Sequence, residues 1–306
     1  MELRQLRYFL SVAETEHLTQ SAEALFVTQS TLSHGLRQLE AELGMPLFDR
    51  LGRGLKLSQA GIAFRGYAAR ALQELDAGRM ALADMAGLQA GTLTVGVIPT
   101  FLTLFVPDAV AAFSAAYPGV RVMIRDLRSG QIEEQLIAGQ LDLGIAFHPA
   151  VREEIEAEPL FDERMHLVVH ASHPLARRRT MRMAELADVP LALLPGSFAT
   201  RRLIDGACAQ AHVKPLVRVE MESVDALLLA CRHAPLATIA AEHAALNAGE
   251  DMRAIPLHEP RTIRRAGVLW RRGASRSAAA SEFVALLRPA VQRAKARNAA
   301  LARSAE

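Results

Sequence analysis

The sequence predicts a multidomain α/β chain: a small helical N-terminal domain, a long linker helix, and a C-terminal α/β domain in two lobes. Three observations predict it. Two short amphipathic helical patterns with a tight break between them, then a glycine-containing hairpin pattern, occupy residues 1–58. An unbroken helical stretch follows within residues 59–90. Residues 91–306 then alternate strand and helix patterns, the mark of sheets covered by helices. The length of 306 residues fits about two domains.

Composition narrows the class. Apolar residues make up 51% of the chain, enough for real cores. No apolar run approaches the ~18 residues of a membrane span. The start, MELRQLRYFLSVAETE, is amphipathic and charged, without the layout of a signal peptide, and points to the cytoplasm. Cys208 and Cys231 are the two cysteines, which argues against a disulfide scaffold. They read as buried thiols, with a redox pair as the alternative. In residues 1–58, Arg4, Arg7, Arg37, Arg50, Arg53 and Lys56 face seven acids, so the segment is not basic overall. From Arg261 to Arg303 the chain is strongly basic, which reads as a solvated helix face rather than a nucleic-acid tail.

The elements follow in order. Residues 3–14 form a helix with Leu3, Leu6, Phe9, Leu10 and Val12 inward. Thr19 caps a second helix over 20–26, with Ala22 and Leu25 inward. After the break at Val27, Thr28 caps a third helix that stops at Gly44. Small Ala22 at the close crossing completes a helix-turn-helix pattern. In LFDRLGRGLKLSQAG, Leu47, Leu55 and Leu57 flank a turn with Arg50, Arg53 and Lys56, a basic wing. Ser58 caps the linker helix, whose Leu72, Leu75, Leu82 and Ala86 recur at heptad spacing, interrupted by Arg79. That stripe reads as a dimerisation surface, or else as packing on the helix's own domain. The strands TLTVGVIP, VRVMIRDL and LDLGIAF alternate with helices over 100–117 and 130–138, giving βαβαβ and a parallel sheet. A second set follows: MHLVVHA, VPLALLPG, a helix over 198–211, LVRVEME, a helix over 224–232 and LATIA. RRAGVLWRR then returns as a strand before a helix over 277–296.

The third helix carries the most specific chemistry. In VTQSTLSHGLRQLE, Leu32, Leu36, Leu39 and Leu43 form a buried face, and Gln29, Ser33 and Arg37 stand opposite. A solvated face would usually show Glu and Lys. Gln pairs with adenine, Arg with guanine, and Ser with a base or phosphate. The second helix of a helix-turn-helix enters the major groove. Arg50 and Arg53 of the wing would reach the backbone or the minor groove.

At this point LRYFLSVAETEHLTQSAEALFVTQSTLSHGLRQLEAELGMPLFDRLGRGLKLSQAG closely resembles the LysR-type transcriptional regulators. TLTVGVIPTF, GQLDLGIAF, ASHPLA and LLPGSFATR extend the resemblance along the chain, and are most similar to the cyanate-responsive regulator of that family. The resemblance implies a winged helix-turn-helix (1–58), a linker and dimerisation helix (59–90) and a two-lobed periplasmic-binding-protein-like effector domain (91–306). Lobe I would comprise about 91–161 and 265–296, and lobe II about 162–264. It also implies double-stranded promoter DNA as partner, a small, anionic effector, and a homodimer assembling into a homotetramer. Gln29, Ser33, His34 and Arg37 become recognition contacts, and Thr28 and Ser30 phosphate contacts. Many members have proline where Ser30 stands. RHAPLATIAAEH departs from the family's glycines and proline, so no ligand contact is carried onto His233, Ala234 or Ala241.

Two strand-to-helix junctions offer anion-binding chemistry, one at Thr100 and one over Phe198, Ala199, Thr200 and Arg201. Helix starts present unpaired N–H groups, and the threonine hydroxyls add donors. Facing lobes would bring both junctions into one cleft, walled by Phe147. The histidines of HLVVHASH, His166, His170 and His173, lack a fourth metal ligand. No phosphate loop, HExxH or GxSxG motif occurs, so neither an enzyme nor a cofactor is expected. A transporter's solute-binding module and a redox sensor using Cys208 and Cys231 are the rival readings.

Overall fold

The computed structural model describes residues 1–51, 54–84 and 91–304. The N-terminal domain packs α1 (Leu3–Thr15), α2 (Leu18–Ala24) and α3 (Gln29–Leu43) around Leu6, Phe9, Val12, Ala22, Leu32 and Leu39. Leu3 and Leu43, expected inward, are 42% and 36% exposed because each sits at a helix end beyond the packed turns. α2 begins after His17 rather than Thr19, and Phe26 turns the chain with φ 54°. A close approach occurs at Gly35, where an added Cβ would stand 2.8 Å from the Tyr8 ring. Glycine therefore lets α1 lie against α3.

The wing is β1 (Phe48–Leu51) and β2 (Gly54–Leu57), paired antiparallel. Glu40 on α3 fastens its base, with Oε1 accepting the Leu47 N–H at 2.7 Å. Linker helix α4 (Gln59–Asp84) starts at Ser58, whose hydroxyl donates to the Pro46 carbonyl and accepts the Gly61 N–H. Its 26 residues span about 39 Å. The expected heptad stripe divides. Leu72 packs on the N-terminal core together with Phe64 and Ala68, whereas Leu75 is 46% exposed. Ala86 lies outside the described residues, and the side chains of Arg79 and Leu82 are not described.

Lobe I is built on β3 (Gly91–Val97), parallel to β4 (Val120–Asp126) and β5 (Leu143–Phe147). Between them lie α5 (Pro99–Leu102), α6 (Val106–Ala116) and α7 (Ser129–Ile137). The single helix expected over 100–117 is broken at Thr103–Phe105. Pro107 lacks an N–H and would clash one turn back, so it stands in the first turn of a new helix. The sheet is mixed, because two strands that pass between the lobes extend it through antiparallel pairings, the later one lying between β5 and the earlier. These are β6 (Ile155–His170) and, later, β12 (Ile263–Arg271).

β6 runs without interruption through both lobes. Its residues up to Arg164 pair with β12, and those from Met165 pair with β10 (Thr238–Ala241) and β11 (Met252–His258). Lobe II adds the short β7 (Met181–Arg182), the parallel pair β8 (Pro190–Leu193) and β9 (Leu216–Glu220), and helices α8 (Ala199–Gln210), α9 (Val224–His233) and α10 (Glu242–Leu246). Helix α11 (Ala278–Ser304) closes on lobe I through Phe283, Leu287 and Val291. The basic stretch from Arg261 is not one solvated face. Arg264 is buried in β12, while Arg276 pairs with Glu156 and Glu158, and Arg297 with Asp108. Among the described residues no helix is long and apolar enough to cross a membrane.

Candidate DNA-binding helix and effector cleft

The sequence of α3 separates a buried face from a polar one. Leu32, Leu36 and Leu39 are inside, while Gln29, Ser30, His34 and Arg37 are exposed and Ser33 is half-buried. Thr28 caps the helix, its Oγ1 accepting the Thr31 N–H at 3.2 Å and meeting the Ser30 and Thr31 hydroxyls at 2.9 and 2.8 Å. These hydroxyls hold the first turn in place. Arg37 reaches back to the Ser33 carbonyl at 3.3 Å, which leaves its guanidinium edge on the outer face. Arg50 is paired with Leu55 in the wing ladder, with its side chain not described. Arg53 lies outside the described residues.

Between the lobes lies a cavity of about 470 Å³. Lobe I contributes Thr100, Arg128, Ser129 and Phe147, and lobe II contributes Phe198, Ala199, Thr200, Arg202, His243 and Asn247. Five of the six effector residues read from the sequence thus meet in one cavity. The sixth, Arg201, does not line it. Its guanidinium turns to Asp205 at 2.8 Å, Glu220 at 2.7 Å and the Leu194 carbonyl at 2.7 Å, so its charge is spent within lobe II. The next residue, Arg202, lines the cavity instead, steadied by the Ser197 carbonyl at 2.8 Å.

Helix α8 enters from a cap residue, Phe198, that makes no side-chain capping bond. The N–H groups of its first turn are therefore not capped from the side chain. α5 has four residues, too short for a dipole of consequence, so Thr100 acts here through its hydroxyl. Across the mouth, Arg128 bonds Glu222 of the other lobe at 3.0 Å, with its guanidinium 4.6 Å from the centre of the Phe198 ring. His243 is half-buried, and burial lowers its pKa from the ordinary 6.5. It comes from RHAPLATIAAEH, where sequence reasoning assigned no contact. The strand-helix junction there, Ala241 into α10, was the available signal.

The cysteines are core residues. Cys208 on α8 and Cys231 on α9 are 1% and 0% exposed, and each belongs to a different core cluster. Burial raises both thiols, Cys231 to about 12, which disfavours the reactive thiolate. Of the histidines, His170 bonds Ser172 and His173 caps the turn at Pro174. Among the described residues no three side chains form a metal-binding group.

A winged helix-turn-helix on a helical stalk, followed by a two-lobed domain with a cleft, defines a DNA-binding protein that carries a ligand-binding module. The profile of the "Bacterial regulatory helix-turn-helix protein, lysR family" matches residues 3–62, and that of the "LysR substrate binding domain" matches residues 86–292. The chain belongs to the LysR family and is a DNA-binding transcriptional regulator with an effector-binding domain. It is 31% identical over 222 residues to the HTH-type regulator YybE of Bacillus subtilis, covering 72% of this chain and 76% of that one. It is likewise 31% identical over 211 residues to the dual regulator OxyR of Escherichia coli, covering 69% of each. Among solved structures, full-length OxyR from Pseudomonas aeruginosa superposes with a TM-score of 0.77 at 23% identity, over 95% of both chains. Full-length CbnR in complex with its target DNA gives 0.67 at 24% identity, over 96% of this chain and 100% of that one.

Proposed function

We propose that this regulator responds to a small oxyanion held between its lobes. The observation that carries the reading is the cavity itself, where Thr100 and Thr200 from opposite lobes meet the uncapped start of α8 beside Arg202, with Arg128 already paired to Glu222. Hydroxyl and backbone donors next to the Arg202 guanidinium suit a carboxylate or similar anion, and Asp126, Glu222 and Asp225, which also line the cavity, leave the selection to placed donors rather than to net charge. Cyanate is the smallest candidate. A volume of about 470 Å³ also accommodates an aromatic carboxylate, and nothing in the lining singles out cyanate. The test is thermal unfolding of the full chain with formate, acetate, benzoate and cyanate. A ligand at a hundred times its Kd stabilises by about 2.7 kcal/mol. A shift with none of the four refutes the oxyanion reading and leaves the family assignment standing.

On DNA, α3 would enter the major groove with Gln29, Ser33, His34 and Arg37 toward the bases and Thr28 and Ser30 toward phosphate. The wing, through Arg50 and Arg53, would add backbone or minor-groove contacts. Exposed Ile62, Tyr67 and Leu75 on α4 support a homodimer through the linker helix, pairing further into a tetramer. A redox reading draws support from relatives described as hydrogen peroxide-inducible genes activators. The burial of Cys208 and Cys231 weighs against these thiols as its agents.

A further inference from the structure

A buried ion pair stands behind the cleft on the two strands that join the lobes. Arg264 on β12 and Glu163 on β6 are register partners, 3% and 5% exposed. Arg264 Nε and Nη2 both donate to Glu163 Oε2, the first at 3.1 Å. The guanidinium also lies near the rings of Phe101 and Phe147, at 4.8 and 5.7 Å. Its remaining arm, Nη1, donates to Thr100 Oγ1 at 2.8 Å. Glu163 Oε1 accepts the His243 N–H at 3.3 Å. The pair therefore touches one cavity-lining residue from each lobe, and Arg264 itself is not among the lining residues.

A guanidinium has donors and no acceptor, so at this contact Thr100 must accept. A hydroxyl that accepts from behind has its single proton left to give elsewhere, and Thr100 lines the cavity. We propose that Arg264 is a specificity-determining positioning residue: it occupies one lone pair of Thr100 and holds the hydroxyl proton toward the cavity, so that an effector presenting an acceptor oxygen at that point is favoured. This rests on the oxyanion reading of the cleft and adds the residue that enforces it. Glu163 balances the Arg264 charge. The selection therefore acts through the direction of a hydrogen bond rather than through net positive charge. Without the pair, the Thr100 hydroxyl would turn to serve donors and acceptors alike.

The test is a mutant cycle on the full chain, reading Kd by calorimetry for whichever of formate, acetate, benzoate and cyanate binds the wild type. Thr100→Val removes the donor. Glu163→Gln with Arg264→Met removes the pair without stranding a buried charge. Thr100→Val is expected to weaken binding about tenfold, the worth of one hydrogen bond to a charged group, and removal of the pair about threefold, since the freed hydroxyl can still donate but is no longer held in place. Combined, they should again cost about tenfold, because Arg264 acts through Thr100. Thr100→Ser should stay within about threefold of wild type. A combined loss of about thirtyfold, or no loss on removing the pair, overturns the proposal while leaving the oxyanion reading intact. Should the pair-removed chain not fold, Arg264→Lys, which keeps a donor-only cation, takes its place. Retained binding within about threefold supports the proposal, and a loss equal to that of Thr100→Val overturns it. A wild type that binds none of formate, acetate, benzoate and cyanate overturns the proposal together with the reading beneath it.

Discussion

Replacing Gly61 by alanine tests how the wing is held against the linker helix. A Cβ there would stand 2.1 Å from the Leu47 carbonyl oxygen and 2.8 Å from Leu57 Cδ2. Carbon and carbonyl oxygen rest about 3.3 Å apart, so the base of the wing must open by roughly 1 Å. The oxygen cannot swing aside freely, because it accepts the Ser58 N–H at 3.0 Å. The Ser58 hydroxyl, bonded to Pro46 at 2.7 Å, moves with it. Overpacking costs about 1–3 kcal/mol, and the two strained bonds about 1 kcal/mol each. The helix gains about 1 kcal/mol from alanine. The balance is a loss of about 2–4 kcal/mol, or about 10 °C and more for a domain this small. Far-UV circular dichroism of the full chain should show the early loss of one unfolding step. Anisotropy with a labelled duplex should show weaker DNA binding at the same temperature. Gly78→Ala on the same helix, where an added Cβ meets nothing within 4 Å, is the control and should be neutral or stabilising. An unchanged or raised melting temperature for Gly61→Ala would refute the close contact and the pinning of the wing.

Arg37→Ala should weaken binding to a specific operator more than to random duplex, by about 1–3 kcal/mol in the difference, since base contacts carry specificity. Equal losses on both in a competition binding assay would reduce Arg37 to a phosphate contact. Burial lowers the pKa of His166 and His243, so the folded form binds fewer protons than the unfolded chain. Their contribution to stability is complete above the ordinary value of 6.5 and is lost as pH falls toward the lowered folded values. Melting temperature should therefore decline from pH 7 to pH 5, and His166→Leu should flatten that slope; an unaltered slope would exclude His166. Both thiols should react with a chromogenic disulfide only at the rate of unfolding, and fast labelling of either in the native chain would reopen the redox reading.

The local patterns were legible because each rests on neighbours in sequence. Leu32, Leu36 and Leu39 declare the inner face of α3, and Thr28 and Gly44 its ends, by rules that operate within one helical turn. Pro107 could have shown that the helix after β3 must break, since its missing N–H is a local fact too. The cavity was half legible. Strand-to-helix junctions marked Thr100 and Phe198 to Thr200, but adjacent arginines could not be told apart. Arg201 and Arg202 differ only in which way the first turn of α8 points them: one into Asp205 and Glu220, the other along the cavity.

By itself the sequence determined the helices of the DNA-binding domain, most of the strands and the two-lobed plan, written in short-range periodicity and capping, but it left out β7, β11 and α10 and joined α5 to α6. The tertiary structure alone decided what depends on distant segments meeting. Glu163 and Arg264 are 101 residues apart, and Arg264 and Thr100 are 164 apart. In the sequence Arg264 is one cation in the basic run RTIRR. In the fold it is buried and paired, and it directs the hydroxyl of Thr100. A charge in such a run reads as solvated until a sheet closes over it, because burial is a property of the packed chain and not of its local pattern.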